Sequence, residues 1–160
     1  LDQIDNGSAH YNMPMALRLS GALDLTVLQQ VFDRILTRHE VLRTSYYNGE
    51  HEEVYQRVQA VNCLPLTVTD LSHQPAGAAR DETVAQILAE EAGRTFDLSQ
   101  DLMVRVQLVK LAADEHILSV TLHHIAFDGW SMGILLEEVS RLYQAFMAGE
   151  PDPLAPLPIQ

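Results

Sequence analysis

The chain has 160 residues, an apolar fraction of 47% and a formal net charge of −12, from 22 acidic and 10 basic residues. That length suits one domain or one lobe of a larger one, and the acidic balance argues against nucleic acid or an anionic membrane surface as a partner. The single Cys63 excludes an internal disulfide and fits a reducing cytoplasm, and no apolar run is long enough to span a bilayer.

Residues 1–13 read as irregular, and His10 within them has no assignable role. Met15 to Leu19 alternate apolar and other residues and predict a short strand. Gly21 ends it. Asp24 then stands as an N-cap before Leu25, Leu28, Val31, Phe32, Ile35 and Leu36, whose spacing predicts a helix over 25–38 that packs on a sheet. Leu42 to Tyr47 and Glu53 to Val58 flank Asn48-Gly49 and predict a hairpin, because both turn residues tolerate positive φ. Arg43 therefore falls near a strand start. Arg38 and His39 are expected to anchor the preceding helix end, where positive charge suits the dipole. His51 is expected in solvent.

Leu66 to Thr69 predict a strand, 72–80 a loop containing a solvated His73, and Thr83 to Arg94 a helix with Val84, Ile87, Leu88 and Glu91 near one face. Met103 to Leu111 and Ile117 to His124 predict an antiparallel hairpin turning at Asp114-Glu115, with His116 solvated at the turn. The last helix is expected from Trp130 to Met147, with a core stripe of Leu135, Val139, Leu142 and Phe146 and with Glu137, Arg141 and Gln144 outside. Gly149 closes it, and the proline-rich 149–160 reads as an extended linker.

The chemistry gathers at His123-His124-Ile125-Ala126-Phe127-Asp128-Gly129-Trp130-Ser131, where an apolar strand stops and a helix begins. Strand side chains alternate, so the two imidazoles point to opposite faces if the strand stays regular to its end. One would then face a cavity and the other be buried behind it. Histidine suits proton transfer near neutral pH, yet a histidine on a strand is also a common satisfied core residue. Asp128 reads as an orienting carboxylate, an ion-pair anchor or only an N-cap. Gly129 permits a tight bend or close backbone approach. Nothing has metal-ligand spacing.

The 123–131 stretch resembles the HHxxxDGxS signature of condensation domains of non-ribosomal peptide synthetases, in the chloramphenicol acetyltransferase-like superfamily. Arg38-His39-Glu40-Val41-Leu42-Arg43-Thr44-Ser45-Tyr46 is similar to the family's RHExLRTxF block, with Tyr46 in place of Phe. The resemblance implies an α+β sandwich, a mostly antiparallel or mixed sheet covered by helices. Residues 1–148 would be the N-terminal lobe, without the family block that precedes it, and 149–160 would lead towards a missing second lobe. It implies amide-bond formation between aminoacyl or peptidyl groups delivered as phosphopantetheine thioesters by upstream and downstream carrier domains, in the cytoplasm, with no directly bound cofactor or metal.

Carried over residue by residue, His124 is the catalytic imidazole. His123, Asp128, Gly129 and Arg43 are structural, with Arg43 pairing with Asp128, and Trp130 and Ser131 shape the turn. A CoA-dependent acyltransferase, an epimerization domain, and an isolated lobe that only folds or docks carriers are the alternatives.

Overall fold

The computed structural model describes residues 12–127 and 131–154. Strands β1 (Asn12–Ser20), β4 (Leu66–Asp70), β5 (Val104–Ala112) and β6 (Glu115–His123) form a four-stranded sheet in the order β1-β6-β5-β4, and β2 (Thr44–Asn48) pairs with β3 (Val54–Val58) in a separate ribbon. Only β4 and β5 run parallel; the other pairs are antiparallel. Helices α1 (Leu25–Arg38) and α3 (Met132–Met147) cover one sheet face and α2 (Ala78–Gly93) the other.

The sequence explains the division. In α1, Leu28, Val31, Phe32, Ile35 and Leu36 fall on one face and all are buried. Each such side chain contributes roughly 1.5–3 kcal/mol on leaving water. The Asp24 side chain caps the helix by accepting from Val27 N–H at 3.1 Å. These residues meet Val104, Val106, Leu108, Leu118, Val120 and Leu122, the alternate positions of β5 and β6, and Leu135 and Leu142 of α3. On the other face α2 buries Val84 against Leu71, Val109 and Leu111.

Several expectations need correction. Asn48-Gly49 does not make a two-residue turn: Asn48 pairs with Val54, so residues 49–53 form the loop, closed by Gly49 N–H to Glu53 C=O at 2.7 Å. The positive φ there belongs to Glu52, at 66°. Helix α2 begins at Ala78, five residues before Thr83, because Ala78 to Glu82 carry helix formers but no apolar stripe to reveal them. The β5–β6 turn is Ala113-Asp114, one residue earlier than expected.

His116 is not solvated: it is 3% exposed. It sits in the interior strand β6, between Leu19 of β1 and Lys110 of β5, so both flanks are covered even beside the turn. Burial lowers its pKa. His51 and His73 are exposed as expected, and His10 lies outside the described residues.

Candidate active site

Strand β6 is regular to His123 and then breaks into a 3-10 turn, His124–Phe127. The two imidazoles part at that point. His123 is 2% exposed and shares its sheet face with Ser119 and Thr121; His124 is exposed at the start of the turn. The His123 Nδ1 accepts from Ile125 N–H at 3.0 Å, which puts the ring proton on Nε2. The ring thereby holds the first peptides of the turn that follows it.

Burial is the largest influence on His123, with the neighbouring His124 and Arg105 acting in the same direction; together they lower its pKa to about 4. The ring is neutral at physiological pH and suits a support. His124 combines an imidazole with access to solvent, as a group that meets a substrate must.

The 38–46 block lies beside this turn, joined through one residue. Met103 N–H donates to Leu42 C=O at 2.8 Å, and Met103 C=O accepts from His123 N–H at 3.0 Å. Met103 is fully buried, so these bonds are shielded from water. Arg43 ends the short 3-10 helix Glu40–Arg43. Its Nε and Nη2 donate to Leu36 C=O and Thr37 C=O at 3.1 and 3.2 Å, and its Nη1 to Gln59 C=O at 3.1 Å. Arg43 thus adds to the cap at the end of α1, where Arg38 stands in the last turn and His39 is the C-cap residue as expected, its N–H donating to Ile35 C=O at 3.0 Å.

The side chains of Arg38 and His39 also reach across to α3. His39 Nε2 lies 2.6 Å from Glu138 Oε1 and Arg38 Nε lies 3.4 Å from the same oxygen, with all three side chains nearly buried. Burial lowers the His39 pKa despite the opposing pull of Glu138, and Nε2, facing a carboxylate oxygen, is the donor of that contact.

Ser131 is the N-cap of α3, its hydroxyl accepting from Ile134 N–H at 3.2 Å, which shortens the expected helix by two residues and takes the capping role considered for Asp128. Asp128, Gly129 and Trp130 lie outside the described residues, and with them the Arg43–Asp128 pairing. Among the described residues no cluster of His, Cys, Asp or Glu has the make-up of a metal site, and no helix is long and apolar enough to cross a membrane. A cleft of about 540 Å³ lies beside β4, β5 and the end of α2, lined by Thr67, Glu91, Arg94, Arg105 and Gln107 among others, and His124 is not part of it.

Sequence reasoning missed Glu138, Phe96, Met103 and Arg105. Glu138 had a signal: its spacing from Leu135 and Leu142 places it on the buried stripe. Met103 had none, since its contribution is made by backbone.

Solved structures define the class. The X-domain from teicoplanin biosynthesis superposes with a TM-score of 0.82 at 33% identity, over 96% of this chain and 32% of that one. SgcC5 from Streptomyces globisporus superposes with a TM-score of 0.80 at 26% identity, over all of this chain and 35% of that one. The starter condensation domain of rhizomide synthetase RzmA, at 19% identity and a TM-score of 0.80 over 92% of this chain and 35% of its own, shares the fold. The condensation-domain family profile matches residues 1–159, and the chain belongs to that family. A linear gramicidin synthase protein of Brevibacillus parabrevis is 40% identical over the whole chain, which spans 3% of that protein. Nonribosomal peptide synthetase kk1B of Curvularia clavata is likewise 40% identical, over the whole chain and 1% of its own length.

Proposed function

We propose that this chain is the N-terminal, signature-bearing lobe of a condensation domain that forms a peptide bond in a cytoplasmic nonribosomal peptide synthetase, and that His124 is its working residue. The donor is an aminoacyl or peptidyl thioester on one carrier's phosphopantetheine arm, and the acceptor is the amine of an aminoacyl thioester on the next. The acceptor nitrogen attacks the thioester carbonyl, the C–N bond forms, the C–S bond breaks, and the sulfur leaves as thiolate. The proton lost by the nitrogen ends on that sulfur or on His124. Aminolysis of a thioester needs little base assistance, so much of the effect comes from holding the amine in line.

The observation that carries this reading is the parting of the two imidazoles: one buried, neutral and bonded to the turn, the other exposed at the strand end. Asp128 and Gly129 are proposed as structural residues of the signature, with Trp130 and Ser131 shaping the turn. Arg43 uses three of its five N–H groups on carbonyls, and a carboxylate at Asp128 is the partner proposed for the remainder.

In the complete domain, His124→Ala is expected to lower the rate of peptide formation by about 10²-fold or more without changing the melting temperature. Unchanged turnover sinks the assignment. Preference for CoA-bound over carrier-bound donors would turn the reading to a CoA-dependent acyltransferase. Loss of Cα–²H from a bound aminoacyl thioester would turn it to an epimerization domain.

A docking role has one supporting observation. The teicoplanin X-domain, similar at 30% identity, has been solved in a complex with OxyB. Comparing amide formation by this chain alone with that of the complete domain separates a catalytic unit from a lobe that only docks or folds.

A further inference from the structure

The polar half of the α2-facing sheet surface holds a linked set of contacts that ends on His123. At the C-terminal end of α2 the cap N–H of Arg94 makes only a long bond to Glu91 C=O, at 3.4 Å, and the carbonyls there can take further donors. Arg105, from β5, reaches them: its Nη2 donates to Glu91 C=O and Arg94 C=O at 3.0 and 2.6 Å, and its Nη1 to Thr95 C=O at 3.2 Å. Asn12, from β1, donates to Ala92 C=O and Arg94 C=O at 2.9 and 2.7 Å. Asn12 is also the register partner of His123. Two strands therefore fasten one helix end beside the signature histidine.

The guanidinium does a second thing. Its carbon sits 4.0 Å over the centre of the Phe96 ring. Phe96 in turn meets the His123 ring edge-on, at 5.4 Å between centroids and 80° between planes. Phe96 is 2% exposed, so it has little room to shift. Glu91 pairs with the same guanidinium: its carboxylate lies 2.7 Å from Nε, an ion pair whose N–H is not aimed along the contact. Both side chains are only 12% exposed. A planar cation that stacks and forks at once is a task that arginine performs and lysine does not.

We propose that Arg105 is a positioning residue for the signature turn: it locks the end of α2 and presses Phe96 against His123, so that the His123 ring keeps one orientation and His124 is presented outward. The inference rests on His124 being the working group. Arg105 touches no substrate and acts through Phe96 and His123.

The test uses the complete domain with carrier-bound substrates and compares Arg105→Lys, Arg105→Ala and Phe96→Leu. The histidine ring nitrogens are followed by long-range proton–nitrogen correlation spectra. The wild type is expected to show one fixed His123 tautomer with the proton on Nε2. Arg105→Ala is expected to lose that fixed signature and to lower kcat about 10- to 100-fold, with KM for the carrier-bound acceptor nearly unchanged. Arg105→Lys is expected to fall between them, and Phe96→Leu to resemble Arg105→Ala.

A variant that keeps kcat while the signature is lost, or keeps the signature while kcat falls, overturns the proposal. Wild-type behaviour in both readouts overturns it too. Should Arg105→Ala not fold, Arg105→Lys and Phe96→Leu decide alone. His124→Ala is run alongside. Full turnover there defeats the catalytic reading, whereas the His123 spectrum still reports on what Arg105 holds.

Discussion

The two faces of the four-stranded sheet are built on different principles. The face under α1 and α3 is apolar up to His116 and Lys110 at one end, with Val104, Val106, Leu108, Leu118, Val120 and Leu122 against Phe32, Leu36, Leu135 and Leu142. The face under α2 is apolar only near Val109 and Leu111, and turns polar where Arg105, Gln107, Ser119, Thr121 and His123 stand. The first face supplies stability through area. The second spends some of it to hold a ring, a guanidinium and a helix end in fixed relation. The candidate site borders the second, since burial and directed hydrogen bonds fix the His123 imidazole where non-directional packing alone would not.

The largest effect is expected on the apolar face. Phe32 is fully buried in the core that α1 and α3 form on this face, and Phe32→Ala should cost about 3–5 kcal/mol, read as a lower urea midpoint. A loss below 1 kcal/mol would mean that this face is not the main source of stability.

The next prediction concerns pH. The folded state holds the His123 pKa at about 4, below the ordinary 6.5. The unfolded chain therefore takes up this proton first as pH falls. The contribution is intact above pH 6.5 and is lost between 6.5 and 4, with a ceiling of about 3 kcal/mol. His123→Asn keeps an acceptor near the Nδ1 position but does not titrate there. Between pH 7.5 and 4.5 the wild type should lose more stability than this variant; parallel losses would remove His123 as the cause.

The smallest effect has the opposite sign. Thr121 is fully buried on the polar face and its Oγ1 finds no hydrogen-bond partner among the described residues. Thr121→Val keeps the shape and should raise stability by up to about 1 kcal/mol. A loss of similar size would show that the hydroxyl has a partner.

The apolar face was also the legible one. Helix α1 could be read from its spacing and its Asp24 cap, and the alternation along β5 and β6 marked their buried positions, because both patterns record burial directly. Arg105 could not be read in the same way. In β5 it alternates with apolar residues as a solvent-facing residue would, and only the arrival of α2 from above makes that position an interior one. His116 misled for the same reason: proximity to a turn says nothing of strands on either side.

In α2, Val84 is buried with Ile87 and Leu88 packed beside it, but the carbonyls at its end are also held, and those leave no periodic trace. The signature histidines could be located by motif, but the break at His124 is set by the Ile125 N–H bond, which no residue type announces.

The contacts of Met103 bear on how such sequences can drift. Both of its bonds to the motif blocks are made by its own peptide groups, so exchanging its side chain for another apolar one of similar bulk leaves the wiring intact. Proline, which lacks the N–H, would cut the strand of communication to Leu42 at a stroke. A position silent to most replacements and intolerant of one is easily overlooked in a comparison of sequences, although the distance between the two motifs hangs on it.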